Sequence, residues 1–129
     1  MGLSIFDERT VLSNRIRFQL ADGTGLKALL GAAGTNGDRL DNILLCNSDG
    51  IDHIVVFWEV SSAVNYCIGS INVPAGTGHG GAAAVDAIPH LIASGQGGFL
   101  QDNLSVLNCS LEVAVVTGEV DVVAMGGYF

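Results

Sequence analysis

The feature that most constrains the fold is residues 34–81, GTNGDRLDNILLCNSDGIDHIVVFWEVSSAVNYCIGSINVPAGTGHGG. Three apolar runs rich in β-branched residues are separated by short polar breaks, and the last run empties into a glycine-rich loop. Such runs fit a pleated surface, and the breaks carry the Asn, Ser, Asp and Gly side chains that tight turns favour. The reading is a three-strand panel over residues 40–47, 51–60 and 64–73, with turns at Asn47-Ser48-Asp49-Gly50 and Ser61-Ser62. Pro74 ends the third strand because it has no N–H to give to a ladder. In the middle strand Ile54, Val56, Trp58 and Val60 alternate with Val55, Phe57 and Glu59. Both faces are largely apolar, which predicts a central strand covered on both sides. The loop at residues 74–81 is expected to be flexible and to bury almost nothing.

The rest of the chain continues the short-strand pattern. In residues 11–20, Ile16, Phe18 and Leu20 share one face and Arg15, Arg17 and Gln19 the other, ahead of the turn at residues 21–25. Residues 26–30 read as a strand or a single helical turn, and Asn36-Gly37 is a turn signal within a loop over residues 31–38. Residues 82–92 allow a short helix through Ile88, where Pro89 disrupts it. The cleanest alternation places Leu107, Cys109, Leu111, Val113 and Val115 against Asn108, Ser110, Glu112 and Ala114. Thr117-Gly118 then turns the chain, and Val120, Val122 and Ala124 return. Seven or eight short strands at this spacing predict an all-β fold, an antiparallel β-sandwich of jelly-roll type with at most one short helix. A single domain is expected, with residues 1–25 as an N-terminal arm and first strand and residues 26–129 as the sandwich.

Composition narrows the function. With 49% hydrophobic and 14% charged residues the chain is not intrinsically disordered, and so low a charge density points to a surface partly covered by a partner. Thirteen acids against five bases give a net charge of −8. Nucleic acid and anionic membrane surfaces are therefore poor partners, since no basic face neutralises phosphates. All five bases (Arg9, Arg15, Arg17, Lys27, Arg39) lie in the first third of the chain. The arginines near the N-terminus are a small cluster able to grip an acidic protein, or are simply solvated beside Asp7 and Glu8. Cys46, Cys67 and Cys109 sit in apolar runs without a C-x-x-C spacing, so free thiols and a reducing compartment are expected. The N-terminus MGLSIFDERT has neither the basic start nor the apolar run of a secretory signal, which predicts a soluble product made in a cytoplasm.

No catalytic pattern emerges. Gly76, Gly78 and Gly81 match G-x-G-x-x-G by letter. That motif needs a parallel βαβ unit and an acid after the next strand, whereas here Pro74 intervenes and Asp102 lies in a turn-like context. Asp49, Asp52 and His53, joined by His79 or His90, are the candidate metal ligands, but adjacent residues of a strand point to opposite faces. No serine or histidine lies in a G-x-S-x-G or similar setting, and Asp38 and Asp41 flank Arg39 as a salt-bridged loop would. Phe57, Trp58 and Tyr66 have Ile and Val neighbours and read as core rather than as a stacking platform. No enzyme activity and no cofactor are expected.

The order AAGTNGDRLDNILLCNSD, an apolar strand, YCIGSINVPAGTGHGG, AVDAIPHLI and a closing VVAMGGYF resembles a family of head decoration, or cement, proteins of tailed bacteriophages. The likeness runs from Lys27 to Phe129, and the triple alanine at Ala82, Ala83 and Ala84 departs from it. It implies a compact β-sandwich on the capsid exterior of the virion, binding the major capsid protein, self-associating as a dimer or trimer, and clamping neighbouring capsomers. The contact residues expected on this reading are Ile5, Phe6, Arg9, Arg15 and Arg17 in the arm and first strand. Pro74, Gly76 and His79 in the loop and the terminal Tyr128 and Phe129 complete the set. A receptor- or carbohydrate-binding virion module is the alternative.

Overall fold

A computed structural model describes residues 10–30, 38–91, 99–101 and 106–128. Among the described residues nine strands form: β1 (Thr10–Phe18), β2 (Lys27–Leu30), β3 (Asp38–Asn47), β4 (His53–Ser61), β5 (Val64–Val73), β6 (Val85–Asp86), β7 (Phe99–Gln101), β8 (Val106–Leu111) and β9 (Val120–Tyr128). They make two antiparallel sheets. The first runs β1-β9-β3, with β6 and β7 each pairing with β3; the second runs β2-β8-β4-β5. The chain passes from one sheet to the other after β1, β2, β3, β5, β7 and β8. This is the order of a jelly roll, so the antiparallel β-sandwich read from the sequence is the fold.

The core lies between the sheets. Phe18, Leu40, Ile43, Leu45, Val120, Val122 and Ala124 from the first sheet meet Val55, Phe57, Leu107 and Cys109 from the second, all fully buried. Strict alternation would expose part of this set. A register shift between Leu40 and Asn42 brings Leu40 and Ile43, three apart, to the same face. A second shift in β5 does the same for Ile68 and Ile71.

Four expectations change. The three-strand panel is split: β4 and β5 form a hairpin in the second sheet, but β3 belongs to the first. Asn47-Ser48-Asp49-Gly50 is therefore a crossover between layers, and Thr117-Gly118 likewise carries the chain from β8 to β9 in the other sheet rather than closing a hairpin. The helix expected over residues 82–88 does not form. Val85 and Asp86 pair with Leu45 and Leu44 on the open edge of β3, and Pro89 sits in a 3-10 turn, Ile88–His90. Seven residues are too few to nucleate a stable helix, whereas the edge offers backbone partners at once. Finally, β4 is central but its outer face is open, because a two-layer sandwich covers each sheet on one side only.

Candidate functional site

The outer face of the first sheet collects several of the residues singled out above. Register places Arg17, Asp121 and Cys46 side by side on β1, β9 and β3, and Arg15, Val123 and Leu44 in the neighbouring row. Arg17 grips Asp121 with two bonds, Nε to Oδ1 at 2.7 Å and Nη2 to Oδ2 at 3.1 Å, and its Nη1 lies 2.7 Å from Glu119 Oε2. Arg15 is exposed and has no ion-pair partner among the described residues. Arg15, Ile16, Arg17, Asp121 and Val123 line a surface groove of about 340 Å³. Ile16 and Val123 supply its apolar lining, and Arg15 adds a guanidinium, the donor geometry that suits a carboxylate.

The glycine loop is anchored beside this row, against the expectation of a floppy segment. The Asn47 N–H donates to the Thr77 carbonyl and the Gly76 N–H donates to the Asn47 carbonyl, both at 2.9 Å. Successive turns follow, with Thr77, His79 and Ala82 donating to Pro74, Gly76 and His79. Thr77 is buried, and its hydroxyl donates to the Pro74 carbonyl at 2.7 Å. Gly78 has φ +77°, and a Cβ placed there would lie 2.5 Å from Cys46 Sγ, so only glycine fits. Pro74 and His79 remain exposed and Gly76 half-buried. Cys46 thus joins the loop to the Arg17–Asp121 row, a proximity that linear spacing did not show. The Tyr128 backbone pairs with Thr10 and Asp38 at the far end of the sheet. Ile5, Phe6, Arg9 and Phe129 lie outside the described residues.

The candidate metal ligands separate. Asp52 faces out and its Oδ1 accepts the Ala75 N–H at 2.9 Å. Asp49 and His53 turn inward and meet, Nε2 to Oδ2, at 2.7 Å. His53 Nδ1 lies 3.1 Å from the Val113 carbonyl. The ionised Asp49 carboxylate only accepts, so His53 donates to it from Nε2–H. The Asp49 carboxylate also accepts from the N–H groups of Gly50, Val116, Thr117 and Gly118 and from the Thr117 hydroxyl. The His53 bond, followed by these backbone donors, holds its pKa well below the usual carboxylate range. The pair is withdrawn from solvent, and its bonds to Val113, Val116, Thr117 and Gly118 tie the start of β4 to the segment between β8 and β9. Among the described residues no cluster of three His, Cys, Asp or Glu side chains is placed to hold a metal ion.

The aromatic residues also divide. Phe57 is core, as expected. Trp58 is half-buried on the outer face of the second sheet, donating Nε1–H to Ser110 Oγ at 3.0 Å, and Tyr66 is 55% exposed. The reading of these two as core fails because no layer lies above β4 among the described residues and β5 is an edge strand that extends past the core.

That outer face carries no charge among its described strand residues. Across β2, β8, β4 and β5 one row holds Ala28, Asn108, Trp58 and Cys67, and the next holds Ser110, Val56 and Ser70. Ile54 and Asn72 follow. The charged strand residues of this sheet turn the other way: Lys27 stands opposite buried Cys109, and Glu59 opposite buried Leu107. The signal is present in the sequence as the apolar Ile54-Val56-Trp58-Val60 series, whose periodicity is the same for an open face as for a buried one. Comparison with protein-family models, with curated proteins and with solved structures finds no match.

Proposed function

We propose that the protein is a structural virion component that sits on the exterior of a phage head and stabilises it by bridging neighbouring major capsid proteins. One observation carries the reading. The first sheet gathers the arginine-bearing strand β1 and the anchored loop at residues 74–81 onto one continuous outer face, through the Arg17–Asp121–Cys46 row and Gly78. A clamp needs a rigid platform of this kind with an unpaired, directional donor, and Arg15 supplies the donor. The jelly-roll fold hosts capsid and lectin domains alike, so the fold alone does not choose between them. The resemblance of residues 27–129 to head decoration proteins supports the capsid.

Co-sedimentation with bare phage heads tests the site. Arg15→Glu is expected to weaken binding at least about tenfold, as reversal of a charge at the edge of an interface does, and to leave the unfolding transition in place. Tyr66→Ala, on the other sheet, should bind as the parent does. Binding to glycans with no binding to heads would replace this reading with that of a carbohydrate-recognition module.

A further inference from the structure

We propose that the open edge of β1 takes up an extended segment of a partner protein as an added strand, and that this segment is largely uncharged with one carboxylate opposite Arg15. The inference deepens, and rests on, the reading of the Arg15 groove as a contact site. It does not require the partner to be a capsid protein.

Backbone accounting exposes the edge. On β3 the Asn47 N–H and carbonyl bond Thr77 and Gly76, and those of Ile43 bond Asp86 and Ala87. Backbone groups alternate in direction along an antiparallel strand, so Leu44 and Cys46 are the β3 residues that bond β9, through Val123 and Asp121. Val120, Val122 and Ala124 are left to bond Phe18, Ile16 and Asn14 on the other side of β9. The N–H and C=O groups of Ser13, Arg15 and Arg17 therefore point away from the sheet. Lys27 shows the same direction independently, because its ammonium reaches over from β2 and donates to the Arg17 carbonyl at 2.6 Å. Among the described residues no strand pairs with this side of β1, and Ser13 and Arg15 have no backbone partner there.

This edge differs from the others. The nine residues of β1 pair with β9 without a register shift, whereas the β2 and β5 pairings each carry one and β6 has only two residues. Bulges and short strands are what blunt an edge, and here only Lys27 does so, at the Arg17 end. A straight run of unpaired backbone groups is a template for strand addition.

Charge sets the chemistry of the segment. Arg15 is exposed with no ion-pair partner among the described residues, whereas Arg17 is held by Asp121 and Glu119. A residue directly opposite Arg15 on the added strand shares its face, where a carboxylate pairs with it. A second acid opposite Arg17 would meet Asp121 and Glu119, and the net charge of −8 disfavours an acidic run. Ile16 alternates to the inner side and packs against the core, so an apolar residue fits next to the carboxylate.

The test uses the peptide acetyl-Ser-Thr-Val-Glu-Val-Thr-Ser-amide and amide hydrogen exchange read by NMR. In the free protein the Ser13 and Arg15 N–H groups should exchange fast and those of Asn14 and Ile16 slowly. Saturating peptide should slow Ser13 and Arg15 at least about tenfold. Replacing the peptide's Glu by Gln should weaken binding about two- to fivefold, and replacing both Thr by Glu should weaken it as well. Ser13→Pro removes only an outward N–H, so it should keep the parent's unfolding transition and bind the peptide at least about tenfold more weakly. Ser13→Ala should bind as the parent does. Peptide binding without any binding to phage heads supports the added strand and overturns the capsid reading alone. Head binding that Arg15→Glu weakens and Ser13→Pro does not keeps the capsid reading and overturns the added strand. So does slow exchange of Ser13 and Arg15 in the free protein, or the absence of peptide-induced protection at both.

Discussion

Asp49 and His53 meet at 2.7 Å with both side chains withdrawn from solvent, and through them the β3–β4 crossover is tied to the β8–β9 connection. Both segments pass between the sheets, so this pair fixes two of the sandwich's layer changes at once. Asp49→Asn removes the charge and turns an amide toward a cluster of donors. Breaking a buried pair of this kind is expected to lower Tm by about 10 °C or more in thermal unfolding followed by circular dichroism.

The same carboxylate sets an acid limit on stability. Its pKa is held below the ordinary range by His53 and the surrounding N–H donors, so below about pH 3.9 the unfolded chain takes up a proton that the folded one does not. Protonation of the unfolded state lowers stability as pH falls. Asp49 therefore contributes fully above that value and progressively less as pH drops toward its folded value. Denaturant titrations between about pH 5 and pH 3 should show the parent losing stability and Asp49→Asn losing less of it.

Gly76 and Gly78 both have positive φ, but only Gly78 is pressed against a neighbour. Gly76→Ala should cost about 1 kcal/mol, the penalty of the left-handed conformation alone. Gly78→Ala must also displace the Cys46 side chain and should cost roughly 2–4 kcal/mol. Equal costs in chemical denaturation would mean that the loop does not rest on Cys46.

The β4–β5 hairpin turns on Ser62 and Ala63, at φ +52° and +63°, without a glycine or asparagine. A two-residue loop with both φ positive prefers Asn-Gly. The double substitution Ser62→Asn, Ala63→Gly should stabilise the protein by about 1 kcal/mol, read as a higher denaturant midpoint with an unchanged slope.

Phe57→Ala opens a cavity between the sheets and should cost about 3–5 kcal/mol, whereas Tyr66→Ala should change stability by less than about 0.5 kcal/mol. The contrast separates the covered middle of the second sheet from the exposed end of β5.

What the sequence made legible follows from the range of the interactions involved. Strand β5 was bounded by Pro74, and the inward series Leu107-Cys109-Leu111 and Val120-Val122-Ala124 followed from period-two alternation, a local property. The assignment of strands to layers is not local. Asn47-Ser48-Asp49-Gly50 has the composition of a hairpin turn, and only Asp49 turning inward to His53 makes it a crossover. The register shifts at Leu40/Asn42 and in β5 carry no motif of their own. The approach of Gly78 to Cys46, which joins the loop to the arginine row, depends on that same long-range pairing. The apolar outer face of β4 looked like a buried one because periodicity reports hydrophobicity, not what lies above it.

The most direct test of the capsid reading is to titrate the purified protein onto heads that lack it and measure both occupancy and the temperature at which the heads disrupt. The account predicts saturable binding at a fixed number of copies per capsomer, with the disruption temperature rising as sites fill. Absence of binding, or binding that leaves the disruption temperature unchanged at saturation, would contradict it.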